Sequence, residues 1–260
     1  MKYEFKTEPF AHQRTALLRS WNKPNYGLFM EMGTGKSKVL IDTIGILYGK
    51  GAINAVVIVA PKGVYRNWST KEIPDHMPDH IDTHVAVWSP APRKQEKADL
   101  VKLFNTDLDE LKIFLINVEA FSTPKGVKFT ENFILGHQVL FAVDESTTIK
   151  NPKASRTKAI TKLAKNTKYR RILTGSPITQ SPLDLYSQTE VLDTNLLGYT
   201  SFYSFQNHYG EVVNRYFGGR TVRQVVGYRN LDELSQKLDS FSYRVLKSDC
   251  LDLPEKLYIR

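Results

Sequence analysis

Short apolar runs recur along this chain and alternate with segments in which apolar residues follow a helical period. Several runs are rich in β-branched residues and continuously apolar, which is typical of strands covered on both faces. The predicted strands are residues 26–30, 55–60, 83–88, 113–117, 139–143 and 171–174. The predicted helices between them are residues 37–48, 64–73, 95–104, 155–165 and 182–192. This alternation predicts an α/β fold with a doubly wound, mainly parallel sheet flanked by helices.

The pattern changes after about residue 197. Residues 199–209 are rich in aromatic side chains and predict a helix, and residues 231–238 predict a further short helix. Between them, residues 214–223 indicate a hairpin that turns at Gly218-Gly219. We therefore expect a C-terminal helical and hairpin appendage on the sheet core.

The composition is that of a globular protein without a membrane segment. The chain has 260 residues, of which 41% are apolar and 24% charged, enough for one large α/β domain or two small ones. No uncharged apolar stretch approaches the ~20 residues that cross a bilayer, and the N-terminus has no apolar signal-peptide core. The single cysteine, Cys250, excludes an internal disulfide and a cysteine-based zinc site, which favours an intracellular location.

Basic residues are concentrated in one interval of the sequence. The net charge is +9, and no acidic residue lies between Glu145 and Asp184. The interval contains Lys150, Lys153, Arg156, Lys158, Lys162, Lys165, Lys168, Arg170 and Arg171. Such a run is either a solvated basic surface or a contact for the phosphate backbone of a nucleic acid, and charge alone leaves both interpretations open.

A glycine-bearing turn follows the first predicted strand and opens the first predicted helix. It reads Gly33-Thr34-Gly35-Lys36-Ser37. Backbone N–H groups in such a turn point at bound phosphates, and the helix dipole favours negative charge there. The pattern predicts that Lys36 reaches the β- and γ-phosphates and that the Ser37 hydroxyl ligates Mg²⁺. The general motif has glycine where this chain has Met30, so the match is incomplete.

Two adjacent carboxylates end a later predicted strand. Asp144 and Glu145 follow the apolar run at residues 139–143. In phosphate-loop NTPases the first such carboxylate holds the Mg²⁺ shell, and the second orients or deprotonates the attacking water. Either motif alone is a weak signal, but a strand ending in two acids downstream of a Gly-Lys-Ser loop predicts an NTPase.

These motifs belong to a longer ordered series that resembles the first RecA-like lobe of superfamily 2 helicases, specifically the Swi/Snf-like group of DNA translocases. The blocks cover most of residues 10–256 and occur in the family's order. They are Met30-Glu-Met-Gly-Thr-Gly-Lys-Ser37, similar to D-E-M-G-x-G-K-T; Val57-Ile-Val-Ala-Pro61-Lys62-Gly-Val-Tyr-Arg-Asn67-Trp68, similar to C-P-x-S-L-L-x-N-W; Asp144-Glu-Ser-Thr-Thr-Ile-Lys150-Asn151-Pro152, similar to D-E-A-H-x-I-K-N-P; Arg171-Ile-Leu-Thr174-Gly175-Ser176-Pro177-Ile, similar to L-T-G-T-P-I/L; and a stretch from Tyr243-Arg244 to Leu253-Pro254-Glu-Lys256, similar to R-R-x-K…L-P-x-K.

The resemblance implies a domain organisation and a set of nucleotide-site residues. It implies a RecA-like ATP-binding lobe at residues 1–194, the appendage at 195–246, and a closing segment at 247–260 that leads to a second lobe. It implies ATP and Mg²⁺ as cofactors. The implied ATP-binding residues are Phe10, Gln13 (which would read adenine), Met32, Gly33, Thr34, Gly35, Lys36 and Ser37. The implied catalytic residues are Lys36, Asp144 and Glu145, and the implied Mg²⁺ ligands are Ser37 and Asp144.

The resemblance also implies coupling residues and a nucleic-acid partner, most simply duplex DNA. Thr174, Gly175 and Ser176 would couple the nucleotide state to the grip on nucleic acid. The candidate nucleic-acid contacts are Lys62, Asn117, Lys150, Arg220 and Arg223. Ordinary loop polarity explains Lys62 and the neighbourhood of Asn117–Glu119 nearly as well. The hairpin interleaves arginine with aromatic residues, which suits nucleic-acid contact but also a solvated hairpin that packs its rings inward.

Departures from the family pattern limit what can be carried over. Ser146-Thr147 replaces the Ala-His or Ala-Asp of most relatives, so the coupling chemistry is expected to differ. The sequence stops at Arg260, before a second lobe that would supply arginine fingers. Such a finger is worth ~10³–10⁵ in rate, so we expect very slow ATP hydrolysis by this chain alone, which would be completed by further sequence or by a partner.

Other functions are weighed against this one. A strand-separating DNA or RNA helicase lobe and a catalytically silent nucleic-acid-binding lobe are the alternatives, whereas a small-molecule kinase would need a lid and an acceptor pocket of which we find no signature. His76, His80 and His84 are spaced by four, but Pro74 and Pro78 favour a surface loop over a zinc-binding helix. The tryptophans, Trp21, Trp68 and Trp88, are expected to pack in or at the edge of the core.

Overall fold

A seven-stranded parallel sheet forms the centre of the molecule. The computed structural model describes residues 3–105 and 109–250. The strands are β1 (Asn25–Met30), β2 (Ala55–Ala60), β3 (Thr83–Val87), β4 (Leu111–Asn117), β5 (Val139–Asp144), β6 (Tyr169–Leu173), a separate pair β7 (Gly210–Phe217) and β8 (Arg220–Tyr228), and β9 (Ser242–Val245). The sheet order is β3-β4-β2-β5-β6-β1-β9, and every neighbouring pair is parallel.

Helices cover both faces of this sheet. They are α1 (Ala11–Ser20), α2 (Lys36–Gly49), α3 (Tyr65–Asn67), α4 (Ile73–His76), α5 (Lys94–Lys102), α6 (Pro124–Leu135), α7 (Ser155–Ala164), α8 (Leu185–Leu192), α9 (Phe202–Tyr209) and α10 (Leu231–Phe241). A π-helical turn, Trp68–Glu72, joins α3 to α4. Parallel strands require such crossover connections, and helices are their usual form.

Two apolar clusters, one on each face of the sheet, form the core. Side chains alternate along a strand, so Val57 and Val59 of β2 belong to one cluster and Val56 and Ile58 to the other. The first cluster is covered by α5 to α10 and the second by α1, α2 and the α3–α4 segment. This arrangement confirms the predicted doubly wound α/β fold.

The C-terminal part packs on the same core. Phe205 of α9 and Leu234 of α10 are buried in the first cluster, and β9 adds to the outer edge of β1. The hairpin β7–β8 turns at Gly218 and Gly219, whose φ angles of 53° and 80° are positive, as the sequence indicates for that turn. The division of the chain at residues 194 and 246 stays a prediction.

Some elements differ from the sequence-based expectations. Helices α1 and α6 and strand β9 were not predicted. The closing block at residues 253–256 lies outside the described residues. Of the helices that the structure describes, none is both long and apolar enough to cross a membrane.

Candidate functional site

The glycine-bearing turn forms a tight loop between β1 and α2. Gly33 and Gly35 have φ angles of 85° and 87°, in the left-handed region that favours glycine. The Thr34 N–H and Oγ1 both donate to the Glu31 carbonyl, at 3.1 and 2.7 Å. Helix α2 begins directly at Lys36. Its first backbone N–H groups have no partner within the helix and therefore face the loop. The loop therefore has the geometry of an anion cradle.

The start of α1 braces this loop from behind. The Gln13 side chain accepts from the Phe10 N–H (3.0 Å) and donates to the Thr34 carbonyl (3.1 Å). His12 Nε2 donates to the same carbonyl at 2.8 Å. A methyl group on Gly35 would lie 2.1 Å from Gln13 Nε2, so this contact requires glycine. His12 was not predicted, since only the folded position of α1 reveals it.

The acid pair lies opposite Lys36. Asp144 is the last residue of β5, and Glu145 follows it with a left-handed backbone (φ 48°). Lys36 Nζ is 3.1 Å from Glu145 Oε1, so the loop lysine and the two acids meet in one site.

Asp144 is held in a buried, directed position. Its carboxylate accepts from Trp68 Nε1 at 3.1 Å and from the Glu145 N–H at 3.0 Å. Burial raises the pKa of Asp144 to about 6, with Lys36 opposing that shift and Glu145 adding to it. Trp68 is buried, as expected, but its hydrogen bond to Asp144 was not predicted.

The residues could hold a divalent cation bound with nucleotide. Ser37 at the start of α2 and Asp144 supply hard oxygen donors of the kind Mg²⁺ prefers. A buried carboxylate whose pKa is raised gains from a cation, because the cation offsets the desolvation of its charge. The donor chemistry at the site therefore fits Mg²⁺.

The predicted coupling residues border the same cleft. Thr174, Gly175 and Ser176 follow β6, and a methyl group on Gly175 would lie 3.2 Å from the Met32 nitrogen. A cleft of about 460 Å³ joins them to Glu31 and Met32, which precede the loop, and to Glu145 of the acid pair. It is lined by Glu31, Met32, Glu145, Thr147, Thr174, Gly175, Ser176, Thr179, Arg244 and Leu246.

A hydrogen-bonded link connects the acid pair to the coupling residues. Ser146 Oγ donates to Gln188 Oε1 at 2.7 Å, and Gln188 Nε2 donates to the Pro177 carbonyl at 2.8 Å. Gln188 lies on α8, so the link passes through that helix.

The candidate nucleic-acid residues contact different neighbours and do not form a single cluster. Lys62 is exposed after β2, and the side chain of Asn117 at the end of β4 accepts from the Ala120 N–H (3.2 Å). Lys150 donates to Thr179 Oγ1 at 2.7 Å and lies 3.6 Å from Asp184. Arg220 and Arg223 are exposed on β8, where Arg223 donates to Asn207.

The basic interval contains a structural arginine as well as surface lysines. Arg171 is fully buried and donates to the carbonyls of Ser20, Trp21, Lys23 and Pro24. Neither interpretation considered for the interval, solvated surface or phosphate contact, applies to Arg171. Its neighbour Arg170 is half-buried and donates to the Leu192 carbonyl.

The regularly spaced histidines are separated in the fold. His76 ends α4, where its Nδ1 lies 2.9 Å from Thr7 Oγ1, whereas His84 lies on β3 and donates to the Asp99 carbonyl. Within the described ranges there is no group of three or more His, Cys, Asp or Glu side chains that could hold a metal ion.

Comparison with known proteins identifies the family. The family model described as the SNF2-related domain matches residues 12–259. The chain is 28% identical over 228 residues to the DNA annealing helicase and endonuclease ZRANB3 of Bos taurus, which covers 87% of this chain and 20% of that protein. It is also similar to the Caenorhabditis elegans homolog of SWI/SNF-related matrix-associated actin-dependent regulator of chromatin subfamily A-like protein 1. These two sequences are 33% identical over 135 residues, an aligned region that covers 48% of this chain and 19% of that protein.

A solved structure has the same fold. The Sulfolobus solfataricus SWI2/SNF2 ATPase core in complex with dsDNA matches with a TM-score of 0.69 and 21% identity, over 98% of this chain and 48% of that one. The chain spans about a fifth of the length of the curated relatives it matches. With the RecA-like sheet and a family match over nearly its whole length, the chain belongs to the SNF2-related domain family.

Proposed function

We propose that this chain is the ATP-binding motor lobe of a Swi/Snf-like translocase that acts on duplex DNA. The observation that carries the proposal is the 3.1 Å approach of Lys36 Nζ to Glu145 Oε1, beside the buried Asp144. In this proposal, Lys36 binds phosphate and the two carboxylates serve hydrolysis, and the short distance supports their acting at one site. The SNF2-related domain match supports an ATP-dependent enzyme.

Each residue of the site has a role in this proposal. Backbone N–H groups of Gly33, Thr34 and Gly35 hold the phosphates, and Lys36 exchanges its contact with Glu145 for phosphate oxygens. Ser37 and Asp144 would hold Mg²⁺, which would neutralise phosphate charge when bound with nucleotide. Glu145, released from Lys36, orients or deprotonates the attacking water. Trp68 keeps the Asp144 carboxylate aimed into the site.

A second RecA-like lobe, in the same protein or from a partner, completes the site. Phe10 and Met32 flank the nucleotide site, yet their exposed fractions are 66% and 68%. Large apolar side chains at a ligand site gain from being covered, and the exposed fractions support a partner surface facing them. Phe10 and Gln13 would contact the base, and residues 174–176 would transmit closure of the two lobes.

Substitutions at the loop and at the acid pair test the nucleotide role. We expect Lys36→Ala to weaken binding of MgATP to the chain at least about tenfold, because a charge-assisted phosphate contact is lost. Glu145→Gln should keep binding but abolish DNA-stimulated hydrolysis once the chain is joined to a second lobe. Fluorescent nucleotide titration and a phosphate-release assay measure these effects.

The matched control is Lys94→Ala, an exposed lysine on α5. It should bind and hydrolyse like the unsubstituted chain. Full DNA-stimulated hydrolysis by Glu145→Gln, or normal MgATP binding by Lys36→Ala, would contradict the proposal. Displacement of a third strand without unwinding of the duplex would separate translocation from strand separation.

The DNA surface is tested by the salt dependence of binding. Lys62, Lys150 and the hairpin arginines Arg220 and Arg223 are proposed to contact backbone phosphates. The logarithm of the DNA-binding constant falls linearly with the logarithm of salt concentration. Each Lys→Gln or Arg→Gln change at a true contact should make this slope shallower by about one, equally for different DNA sequences. Lys94→Gln again serves as control. An unchanged slope for all of these variants would place the DNA elsewhere on the lobe.

A further inference from the structure

The turn that follows β9 lies against the phosphate loop. In the sheet, β9 pairs with β1 on the side opposite β6, with Val245 beside Met30. The pairing continues one residue further, because the Glu31 N–H donates to the Val245 carbonyl at 2.9 Å. The residues after Val245 are therefore delivered to the loop from the side opposite the acid pair.

Glu31 fixes the backbone of this turn. Its carboxylate Oε2 accepts from the Lys247 N–H at 2.8 Å. The adjacent Leu246, together with Arg244, lines the same cleft as Met32 and Glu145. Glu31 thus holds a turn that is distant in sequence, and this turn carries a cationic side chain that lies beside the loop.

That cation is the side chain of Lys247. A methyl group built on Gly33 would lie 3.5 Å from Lys247 Cε and 3.8 Å from its Nζ, so the half-buried lysine lies over the glycine. Because Gly33 has no side chain, Lys247 reaches the loop backbone directly on this side. Its long flexible ammonium can move from there to an anion held by the loop N–H groups.

We propose that Lys247 is a second cationic contact for the polyphosphate in this loop, held in place by Glu31. The inference rests on the proposed nucleotide function and adds a residue to it. Lys36 approaches the phosphates from the helix α2 side, opposite Glu145, and Lys247 approaches from the β9 side. Because residues 246–250 carry this contact, filling the loop with phosphate also tightens the hold on that turn.

Nucleotide titration of the 260-residue chain tests the role of Lys247. We expect Lys247→Gln to weaken binding of MgADP and of a non-hydrolysable ATP analogue about three- to tenfold, while binding of adenosine stays unchanged. Lys247→Arg should retain affinity, and Lys94→Gln should change nothing. The salt dependence of MgADP binding should also become shallower in Lys247→Gln, since one charge contact is lost.

The anchoring role of Glu31 is tested by a double substitution. Glu31→Ala should weaken MgADP binding by a similar factor, and Glu31→Ala combined with Lys247→Gln should be little worse than either alone. Equal MgADP affinity in Lys247→Gln and the unsubstituted chain, or an equal loss for adenosine, would overturn the inference. The proposed function fails separately, if the unsubstituted chain binds no nucleotide or if Lys36→Ala binds normally.

Discussion

At the scale of single residues, Asp144 is a buried carboxylate whose charge lowers the stability of the fold. The group is buried, and its pKa is raised from 3.8 to about 6 because burial disfavours the charge. Between these two pH values the unfolded chain releases the proton first. The free energy of unfolding therefore falls as pH rises from about 4 to about 6, and the full penalty remains at higher pH.

This sign gives a prediction for Asp144→Asn. The amide oxygen can still accept from Trp68, but the buried charge is gone. We expect the variant to be more stable than the unsubstituted chain by on the order of 1–3 kcal/mol at pH 7.5, with a much smaller difference near pH 4. Urea unfolding at both pH values measures this. Asp79→Asn, at an exposed carboxylate, is the control, and a pH-independent difference for Asp144→Asn would contradict the assignment.

At the scale of secondary-structure elements, one buried arginine ties the end of α1 to the sheet. Arg171 on β6 donates to the carbonyl of Ser20, the last residue of α1, and to that of Lys23 just after it, and burial lowers its pKa to about 9. The carbonyls at a helix end have no partner within the helix. Because Arg171 supplies donors to several of these groups at once, α1 and the phosphate-loop contacts of its N-terminus depend on it.

We expect Arg171→Met to lower the free energy of unfolding by about 2–4 kcal/mol, because buried carbonyls lose their donors. Lys158→Met, at an exposed position of α7, should change it by less than about 0.5 kcal/mol. Chemical denaturation measures both. An equally small effect for Arg171→Met would mean that water replaces the guanidinium.

The elements that could be predicted from sequence are those with strong local patterns. Buried strands such as β2 and β5 are continuously apolar, and their bounds are matched within a residue. Helix α6 was missed because Pro124 and Gly126 suggest a loop, whereas Pro124 stands at the helix start and Gly126 packs against the Ala120 carbonyl. Strand β9 has four residues and an exposed arginine, so its pattern is too short.

The same distinction applies within the site. Lys36, Asp144 and Glu145 belong to short motifs whose spacing is visible in the sequence. The hydrogen bond from Trp68 to Asp144 spans 76 positions, and the one from Lys247 to Glu31 spans 216, so only the folded sheet order brings these groups together.

At the scale of the whole molecule, the proposed nucleotide site lies beside large apolar side chains that are open to solvent. Phe10 and Met32 are exposed beside it, and the charged pair of Lys36 and Glu145 lies within this one chain. We expect the chain to bind MgATP but to hydrolyse it about 10³-fold or more slowly than a form joined to a second lobe that supplies arginine fingers. Single-turnover measurements with and without that lobe test this, and enzyme-like turnover by the chain alone would contradict it.

The position of β9 has a consequence for the order in which the protein can be made. β1, which leads into the phosphate loop, is translated early, but its outer neighbour Ser242–Val245 emerges from the ribosome only after more than 200 further residues. Until then the outer edge of β1 has unpaired backbone N–H and C=O groups, and such edges promote aggregation of nascent chains. A chain truncated before Ser242 would therefore keep this edge exposed and lack the turn that Glu31 holds, although β1 and α2 would be present.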